Sequence, residues 1–399
     1  MVQNPKSNLQ GAALVIHGGG PTPVLNASLA GMITAARNHR EVSAFYGAKH
    51  GVKGALAGDF WDLLAQPDHI VNGLRISPGS AIGSSRMHLK EEHFASLLDV
   101  LASRSIRFVF VAGGNGTQET GLRIERAAKG RGYELRVMGI PKTVDNDLGY
   151  TRFSPGYPTA ARFFAQAFRD IGEDNRSLPS PINVIEVIGR NVGWVVGATA
   201  LARFRDDDPP HLIYVPERRV SDDQLCADVE RVYRKLGRCV VAVCEGQLND
   251  KGEPFGAQFH AVAGARDRLA ANLAHQLAEL LTERLGVRAR SEKPGLLGRS
   301  SSLDVVPLDR QASWLCGHHA MTCAVNGASG SMVTIEEVEP DSGHIEIGAA
   351  PFENVAIAEN ALKPEHIHPD GNDVTEAFLD YVRPLVGPIE PHVRLYPQL

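Results

Sequence analysis

The sequence predicts an α/β protein of two lobes, each a three-layer sandwich of helices around a mainly parallel sheet. Short apolar segments alternate with amphipathic stretches along the chain, which is typical of parallel sheets covered on both faces. The 399 residues exceed what one ordinary hydrophobic core holds, so two lobes are expected. Glycine-rich turns follow two of the apolar segments, as at the ligand-binding edge of such sheets.

The apolar segments predict the strands, and the helical patterns lie between them. Strands are predicted at 11–17, 107–112, 135–140, 182–188, 212–215 and 239–244. Helices are predicted at 27–39, 121–130, 222–236 and 266–285, and Ser221 is the expected N-cap of the third. The segment RDDDPP at 205–210 predicts a surface loop. We expect a first lobe at 1–155, a second at 156–290, and a C-terminal segment at 291–399 that crosses back and completes both.

Composition excludes several classes of protein. The formal net charge of -5 argues against a protein that coats nucleic acid or an anionic membrane. Five scattered cysteines do not form the pattern of a disulfide framework. No stretch approaches the roughly 20 apolar residues of a membrane helix, and the polar start MVQNPKSNLQ lacks the core of a signal peptide. A cytoplasmic location is expected.

Two glycine-rich turns suggest phosphate binding. They are Gly18-Gly19-Gly20 and residues 113–117 (GGNGT), and each joins a predicted strand to a helix. Glycine lets the backbone approach a phosphate closely, and a helix N-terminus supplies N–H donors and a positive dipole end. Neither turn has the spacing of the Rossmann or P-loop fingerprint. One such turn alone would also fit simple packing.

A third strand ends in a charged turn. Residues 141–147 (PKTVDND) bring one lysine and two aspartates to the expected carboxyl edge of the sheet. The lysine can neutralise phosphate charge, and an aspartate can bind Mg²⁺ or accept a proton from an attacking hydroxyl. A solvated turn would explain the aspartates by themselves. With two glycine turns beside it, the segment indicates a phosphoryl-transfer site.

The order of these motifs resembles that of the phosphofructokinase family. The resemblance covers about residues 12–335 and is closest to the branch that contains pyrophosphate-dependent fructose-6-phosphate phosphotransferases. The motifs are GGxxPxxN near the start, GSSR at 83–86, GGNGT, PKTVDND, EVIGRNVGW at 186–194, LIYVPE at 212–217, CEG at 244–246 and LGRSS at 297–301 followed by LDRQA.

The resemblance implies a role for each matching residue. The phosphoryl donor, ATP or pyrophosphate, would contact Gly19, Gly20, Arg86, Gly114, Gly116 and Thr117. Asn115 and Asp147 would lie at a Mg²⁺ site. Asp145 would be the catalytic base, flanked by Lys142 and Thr143. The sugar or sugar-phosphate acceptor would contact Thr143, Asp145, Ile188, Gly189, Arg190, Glu245 and Arg299. By the same resemblance the protein would be a homodimer or homotetramer, with its active site in the cleft between the lobes.

The donor position combines features of two groups of relatives. Pyrophosphate users in the family typically place Asp where this chain has Gly116, so the glycine resembles ATP users. Lys142 instead resembles the pyrophosphate users, although some relatives with this Gly and Lys pairing use ATP. On balance we expect ATP.

The acceptor positions depart from the family pattern. Pro181 stands where a basic residue usually binds the sugar phosphate, and Leu296-Leu297-Gly298-Arg299 stands where the family usually has a Gln-Arg pair. Arg288 and Arg290 are candidate replacements for the missing cation. Fructose 6-phosphate is therefore the family default, and sedoheptulose 7-phosphate or an unphosphorylated sugar or polyol is the alternative. A non-catalytic nucleotide-binding regulator is a second alternative; a dinucleotide oxidoreductase, which lacks its fingerprint, is a third.

Overall fold

The computed structural model describes residues 9–178, 181–255, 272–339 and 343–395. The chain divides into two compact units. The first unit comprises Met1–Tyr157 and Arg299–Asn360, and the second comprises Pro158–Gly298 and Ala361–Leu399. The chain therefore crosses from one unit to the other three times, at the three junctions between these ranges.

The described residues form strands β1 to β11 and helices α1 to α13. The strands are β1 (Gly11–His17), β2 (Val42–Ala48), β3 (Phe60–Asp62), β4 (Ile106–Gly113), β5 (Arg136–Pro141), β6 (Ile182–Val187), β7 (Leu212–Tyr214), β8 (Cys239–Cys244), β9 (Ala289–Glu292), β10 (Ser331–Glu339) and β11 (His344–Pro351). The helices are α1 (Leu25–Arg37), α2 (Val52–Ala57), α3 (Asp68–Leu74), α4 (Glu91–Ser103), α5 (Asn115–Gly130), α6 (Tyr157–Ser177), α7 (Trp194–Ala198), α8 (Asp222–Leu236), α9 (Leu273–Leu285), α10 (Leu297–Ser300), α11 (Pro307–Val325), α12 (Phe352–Val355) and α13 (Glu376–Val386). Two 3₁₀ helices lie at Thr199–Ala202 and Pro364–His366.

The sheet of the first unit is mainly parallel, as predicted. Its seven strands have the order β11-β10-β5-β4-β1-β2-β3. The five inner strands pair in parallel, and only β3 and β11 at the two edges pair antiparallel. β1 and β4 are buried at nearly every residue because helices cover both faces of the sheet.

Helices cover the two faces of this sheet with different contacts. Leu14 and Ile16 point from one face into a core formed with α2, α4, α5 and α12. On the other face α11 contacts β4 and β5 and packs lengthwise on α1. The two helices approach closely at glycines: a Cβ on Gly31 would lie 2.1 Å from the carbonyl oxygen of Trp314, and one on Gly317 would lie 1.9 Å from that of Ser28.

The second unit has a smaller sheet that is parallel throughout. Its strands have the order β7-β8-β6-β9. Helices α8 and α9 bury one face through residues that include Leu225, Val229, Leu277 and Leu281. Ser221 caps α8 by accepting a hydrogen bond from the Gln224 amide at 3.1 Å, and Gly237 ends the helix in the left-handed conformation. The capped helix predicted at 222–236 is confirmed.

The C-terminal chain is tied to the segment predicted as a surface loop at 205–210. Asp208 is buried, and the Arg394 guanidinium donates to Asp207 at 2.9 Å, to Asp208 at 2.5 Å and to Glu173 at 3.2 Å. The prediction of a plain surface loop is therefore wrong at its buried end. Local sequence shows the acidic cluster, but Arg394, the cation that joins Asp207 to Asp208, lies almost 190 residues further along the chain.

Other sequence predictions differ from the structure mainly at their ends. β1 and β8 have the predicted bounds, whereas α5 begins at Asn115, six residues before the predicted 121. Helix formation therefore extends into the glycine turn, so Gly116 and Thr117 are helical residues. Of the helix predicted at 266–285, Leu273–Leu285 is helical and 266–271 lie outside the described residues.

Within the described ranges, the longest helices lack the run of apolar residues that would be needed to pass through a lipid bilayer.

We expect Gly317→Ala to lower the free energy of unfolding by about 1–3 kcal/mol, because the new methyl group would push α11 away from α1. The measurement is urea-induced unfolding. Gly73→Ala is the matched control, since a Cβ there meets no atom within 4 Å and the residue lies in α3. The control should be neutral or slightly stabilising. Equal stability of the two variants would contradict close packing of α1 on α11.

Candidate functional site

Three loops meet at the carboxyl edge of the first sheet, where β5, β4 and β1 are neighbours. The Gly18 amide donates to the carbonyl of Ala112 at 2.9 Å, which extends the pairing of β1 with β4 into the turns. The Thr117 side chain fills the space between the turns: a Cβ on either Gly18 or Gly113 would lie 2.2 Å from its Oγ1. Glycine suits both positions because any larger side chain would collide with Thr117.

The turn at 18–20 also binds the segment that carries Arg86. The Gly19 amide donates to the carbonyl of Ser85 at 2.9 Å, and the Ser84 hydroxyl donates to the carbonyl of Gly19 at 2.7 Å. Gly19 has a φ of 78°, which favours glycine. Arg86 follows Ser85 and its side chain is exposed. The sequence-predicted donor residues Gly19, Gly20 and Arg86 therefore belong to one local cluster.

Two cationic side chains lie against Gly20. The buried Lys142 ammonium donates to the carbonyl of Gly20 at 2.7 Å. A Cβ on Gly20 would lie 2.6 Å from Nη1 of Arg299, so the guanidinium packs directly on this backbone. Arg299, predicted to contact the acceptor, thus lies beside the glycine turn predicted for the donor. The pair concentrates positive charge at the turn, as an anionic ligand would require.

Asn115 and Asp147, the two residues predicted to bind the metal, lie in contact. The Asn115 amide nitrogen donates to the backbone carbonyl of Asp147 at 3.3 Å. The Asn115 Oδ1 atom is buried and accepts no hydrogen bond from the residues that the structure describes. A buried oxygen without a donor, next to a carboxylate, fits Mg²⁺, which binds one or two protein oxygens together with phosphate. The described ranges contain no cluster of three or more His, Cys, Asp or Glu side chains that could hold a metal by themselves.

The turn that carries Asp145 and Asp147 is fixed by a distant segment. Asn146 between them adopts a left-handed φ of 59°, and its side chain accepts from the Ser154 amide at 2.9 Å. Asn360 donates through its side chain to the carbonyl of Asn146 at 3.0 Å and through its amide to that of Asp147 at 2.9 Å. Sequence reasoning missed Asn360, because nothing local to it shows its partner.

A hydrogen bond within the same turn fixes the positions of its first residues. The Asp145 amide donates to Oγ1 of Thr143 at 3.1 Å, and Thr143 itself is buried. A Cβ on Gly114 would lie 3.9 Å from Cβ of Thr143, so this loop borders the turn at 113–117. The predicted residues Lys142, Thr143, Asp145 and Asp147 therefore lie together with Gly114 and Asn115.

His17, the last residue of β1, is a buried histidine that sequence reasoning missed. His17 Nδ1 lies 2.8 Å from the Ser80 hydroxyl, and that hydroxyl donates to the carbonyl of Gly83 at 2.9 Å. Since Ser80 has one hydrogen to donate, His17 donates from Nδ1 and its Nε2 is unprotonated. Burial and the charge of Lys142 lower the pKa of His17 to about 3. The imidazole is therefore neutral and anchors the loop that precedes Arg86.

Gln118 is a second missed residue. It is fully buried in α5, and its amide nitrogen donates to the carbonyls of Gly113 at 2.7 Å and Ile140 at 3.1 Å. It therefore ties the ends of β4 and β5 together below the two turns. A polar residue directly after the turn at 113–117 was the only signal in the sequence.

In the second unit, the predicted acceptor residues form a separate group. The Glu245 carboxylate accepts from the amides of Gly189 at 3.3 Å and Arg190 at 3.2 Å. Gly189 and Arg190 have positive φ values of 151° and 49°, so the loop after Ile188 turns sharply and leaves the Arg190 side chain exposed. A Cβ on Gly246 would lie 1.6 Å from the carbonyl oxygen of Arg190, which makes glycine obligatory there.

Arg288 lies beside Pro181 in the same unit. Ala289 of β9 pairs with Ile182 of β6, so the preceding residues, Arg288 and Pro181, are neighbours at the start of the two parallel strands. Arg288 and Arg290 also line an open cavity of about 740 Å³ with Thr282 of α9. The strand register therefore brings the candidate replacement cation next to the proline.

The low pKa of His17 predicts a pH dependence of stability. Above its ordinary value of 6.5 both the folded and the unfolded chain hold a neutral imidazole; below it only the unfolded chain gains a proton, until about pH 3. The free energy of unfolding therefore falls as pH is lowered through this window. We expect His17→Gln to remove up to about 1.4 kcal/mol of that decline per pH unit near pH 5. Urea unfolding at several pH values measures it.

The exposed His69 provides the control for this experiment. His69→Ala should leave the slope of stability against pH unchanged. A His17→Gln slope equal to that of the unsubstituted protein would show that His17 is not held neutral by the fold.

Comparisons with known proteins test the family resemblance. The family model described as phosphofructokinase matches residues 12–324. The pyrophosphate–fructose 6-phosphate 1-phosphotransferase of Rhodospirillum rubrum is 35% identical over 385 residues, which cover 95% of each chain. A sulfofructose kinase of Alkalicoccus urumqiensis is 28% identical and covers 87% of this chain and 89% of its own. The crystal structure of a pyrophosphate-dependent phosphofructokinase from Marinobacter aquaeolei is 27% identical, covers 98% of both chains and has a TM-score of 0.85. The resemblance predicted from the motifs is confirmed: this chain belongs to the phosphofructokinase family.

Proposed function

We propose that this protein catalyses Mg²⁺-dependent phosphoryl transfer from ATP or pyrophosphate to a hydroxyl group of a sugar phosphate, with fructose 6-phosphate as the default acceptor. The observation that carries the proposal is the convergence of the turns at 18–20, 113–117 and 142–147 in the first unit. Thr117 packs against two of them and Lys142 binds the third to Gly20. Phosphoryl transfer depends on such positioning and charge neutralisation more than on covalent catalysis.

Different residues of the first unit have different roles in the proposed reaction. Asp145 accepts the proton of the acceptor hydroxyl as its oxygen forms a bond to phosphorus and the bond from phosphorus to the leaving group breaks. Lys142 and Arg86 neutralise phosphate charge, and the backbone at 113–117 approaches the phosphate oxygens. Asn115 and Asp147 would hold Mg²⁺, which, when bound, supplies charge stabilisation to the phosphates. Asn115 contributes no charge, so this site depends on Asp147 and the donor for its anionic ligands.

For the donor we favour ATP and keep pyrophosphate as the second candidate. The space beside Gly116 supports ATP, because a Cβ there meets nothing closer than Cε1 of His88 at 3.8 Å. Lys142 and the relatives named for pyrophosphate support the second donor.

For the acceptor, Arg190 and Glu245 of the second unit are the proposed contacts. Glu245 orders the Gly189 and Arg190 amides and leaves the guanidinium exposed. Pro181 favours a second candidate function, a kinase for another acceptor, since proline cannot bind a phosphate as a cation does. The names of the relatives give different acceptors, since one relative is a sulfofructose kinase and another acts on fructose 6-phosphate. Arg288 beside Pro181 supports retention of an anionic acceptor. A homodimer or homotetramer remains part of the proposal.

The decisive experiment is a panel that combines ATP and pyrophosphate with fructose 6-phosphate, sedoheptulose 7-phosphate, unphosphorylated sugars and polyols. We expect Mg²⁺-dependent turnover with fructose 6-phosphate or another sugar phosphate. Asp145→Asn should lower kcat about a thousandfold, because it removes the base but keeps the shape. Preferred turnover of an unphosphorylated acceptor would support the second candidate. Absence of transfer with every pair, or full activity of Asp145→Asn, would overturn the proposal.

We expect Gly116→Asp to raise the KM for ATP about tenfold or more and to change the KM for pyrophosphate less, because the carboxylate would enter the space proposed for the nucleotide. Steady-state kinetics with both donors measures this. Gly130→Asp at the other end of α5 is the control, since a Cβ there meets no atom within 4 Å. An equal effect of the two substitutions on ATP would refute a nucleotide beside Gly116.

A further inference from the structure

The side chains that follow Ser85 alternate between exposed and buried positions. Met87 packs against the core, and Leu89 is buried in it. Arg86 and His88, which alternate with these residues, have exposed side chains. This alternation, which is typical of an extended segment, indicates that Arg86 and His88 share its outer side.

This segment is fixed at both ends. At one end the Ser85 carbonyl accepts from the Gly19 amide at 2.9 Å, and the Ser85 hydroxyl accepts from the Met87 amide at 3.0 Å. At the other end Arg123 of α5 donates to the carbonyl of Leu89 at 2.7 Å and to the Glu91 carboxylate at 2.7 Å. His88 is therefore held between the glycine turn at 18–20 and helix α5.

His88 lies over the first turn of α5. Its Cε1 atom is 3.8 Å from the position of a Cβ on Gly116, the second residue of the helix. The imidazole forms no hydrogen bond or ion pair with any residue in the described ranges. An N–H donor thus borders the open space at a helix N-terminus, where backbone amides favour anions.

The sheet order indicates which part of a donor His88 would meet. The turn at 113–117 lies between the loop of β5, which carries Asp145 and Asp147, and the loop of β1, to which the His88 segment is bonded. Asn115 reaches toward Asp147 on the β5 side. The phosphoryl group that is transferred must lie near Asp145, so the His88 side of the turn faces the part of the donor that leaves.

We propose that His88 is a donor-binding residue that donates a hydrogen bond to a phosphate oxygen of the leaving group, which is the β-phosphate of ADP or inorganic phosphate. This inference rests on the proposed function, since it takes the turn at 113–117 as the donor site. Its chemistry is the recognition of a phosphate that is not transferred, beyond the contacts of Arg86 and the glycine amides.

The test is steady-state kinetics and calorimetric binding of Mg²⁺-ATP and Mg²⁺-pyrophosphate with His88→Ala, His88→Gln and the unsubstituted protein. We expect His88→Ala to raise the KM and the Kd of the preferred donor about tenfold, which is typical of one lost hydrogen bond to a charged group. The kcat and the KM of the acceptor should change less than about twofold. His88→Gln retains an N–H donor and should lie between the two.

His69→Ala is the matched control, because His69 is an exposed histidine of the same unit in α3. A donor KM and Kd for His88→Ala within about twofold of the control would overturn the inference while leaving the proposed function intact. If the unsubstituted protein transfers phosphate from neither donor, calorimetry still decides: binding that weakens in His88→Ala supports the contact and contradicts only catalysis. Failure of the unsubstituted protein to bind either donor would overturn both proposals.

Discussion

The parallel pairing of β1, β4 and β5 is the constraint on which the site of the first unit depends. Parallel strands present their carboxyl ends at the same edge, so three turns separated by up to about 130 residues meet there. Helices on both faces bury these strands, and their hydrogen bonds continue into the turns through the Gly18 amide. A site made of glycine backbone, cations and carboxylates therefore follows from the sheet, and each turn only adds its own side chains.

The turns lie so close together that some positions must be glycine, and larger side chains from neighbouring segments occupy the space that the glycines leave. Gly18 and Gly113 leave room for Thr117, and Gly20 leaves room for Arg299. The buried Lys142 would be costly without compensation, and its bond to the Gly20 carbonyl supplies part of it. His17 is neutral in the same region because burial and Lys142 lower its pKa. The anchoring histidine is therefore uncharged beside the fixed positive charge of Lys142.

In the second unit, too, parallel strand pairing brings separate loops together, but the loops carry different residues. There the loops after β6 and β8 meet because these strands pair in parallel, and Glu245 after β8 orders the Gly189 and Arg190 amides after β6. The departure at Pro181 lies at the opposite, amino end of β6, where β9 places Arg288 beside it. Pro181 and the loop that carries Arg190 therefore lie at opposite ends of the same strand.

The sequence by itself determined the fold class, the family and the chemistry of the turns, because strand periodicity, glycine turns and PKTVDND are local patterns. The predictions of a mainly parallel α/β fold and of phosphofructokinase resemblance are confirmed. Only the tertiary structure revealed contacts between distant segments: Asn360 on the turn of Asp147, Arg394 on Asp207 and Asp208, His17 on Ser80, and His88 over Gly116. It also showed that α5 begins inside the glycine turn, since helix ends depend on packing and capping rather than on periodicity. Local patterns determine which strands and turns form. The partner of a buried polar group, in contrast, comes from a segment that is distant in sequence and is brought near by the fold, so no short stretch of sequence identifies it.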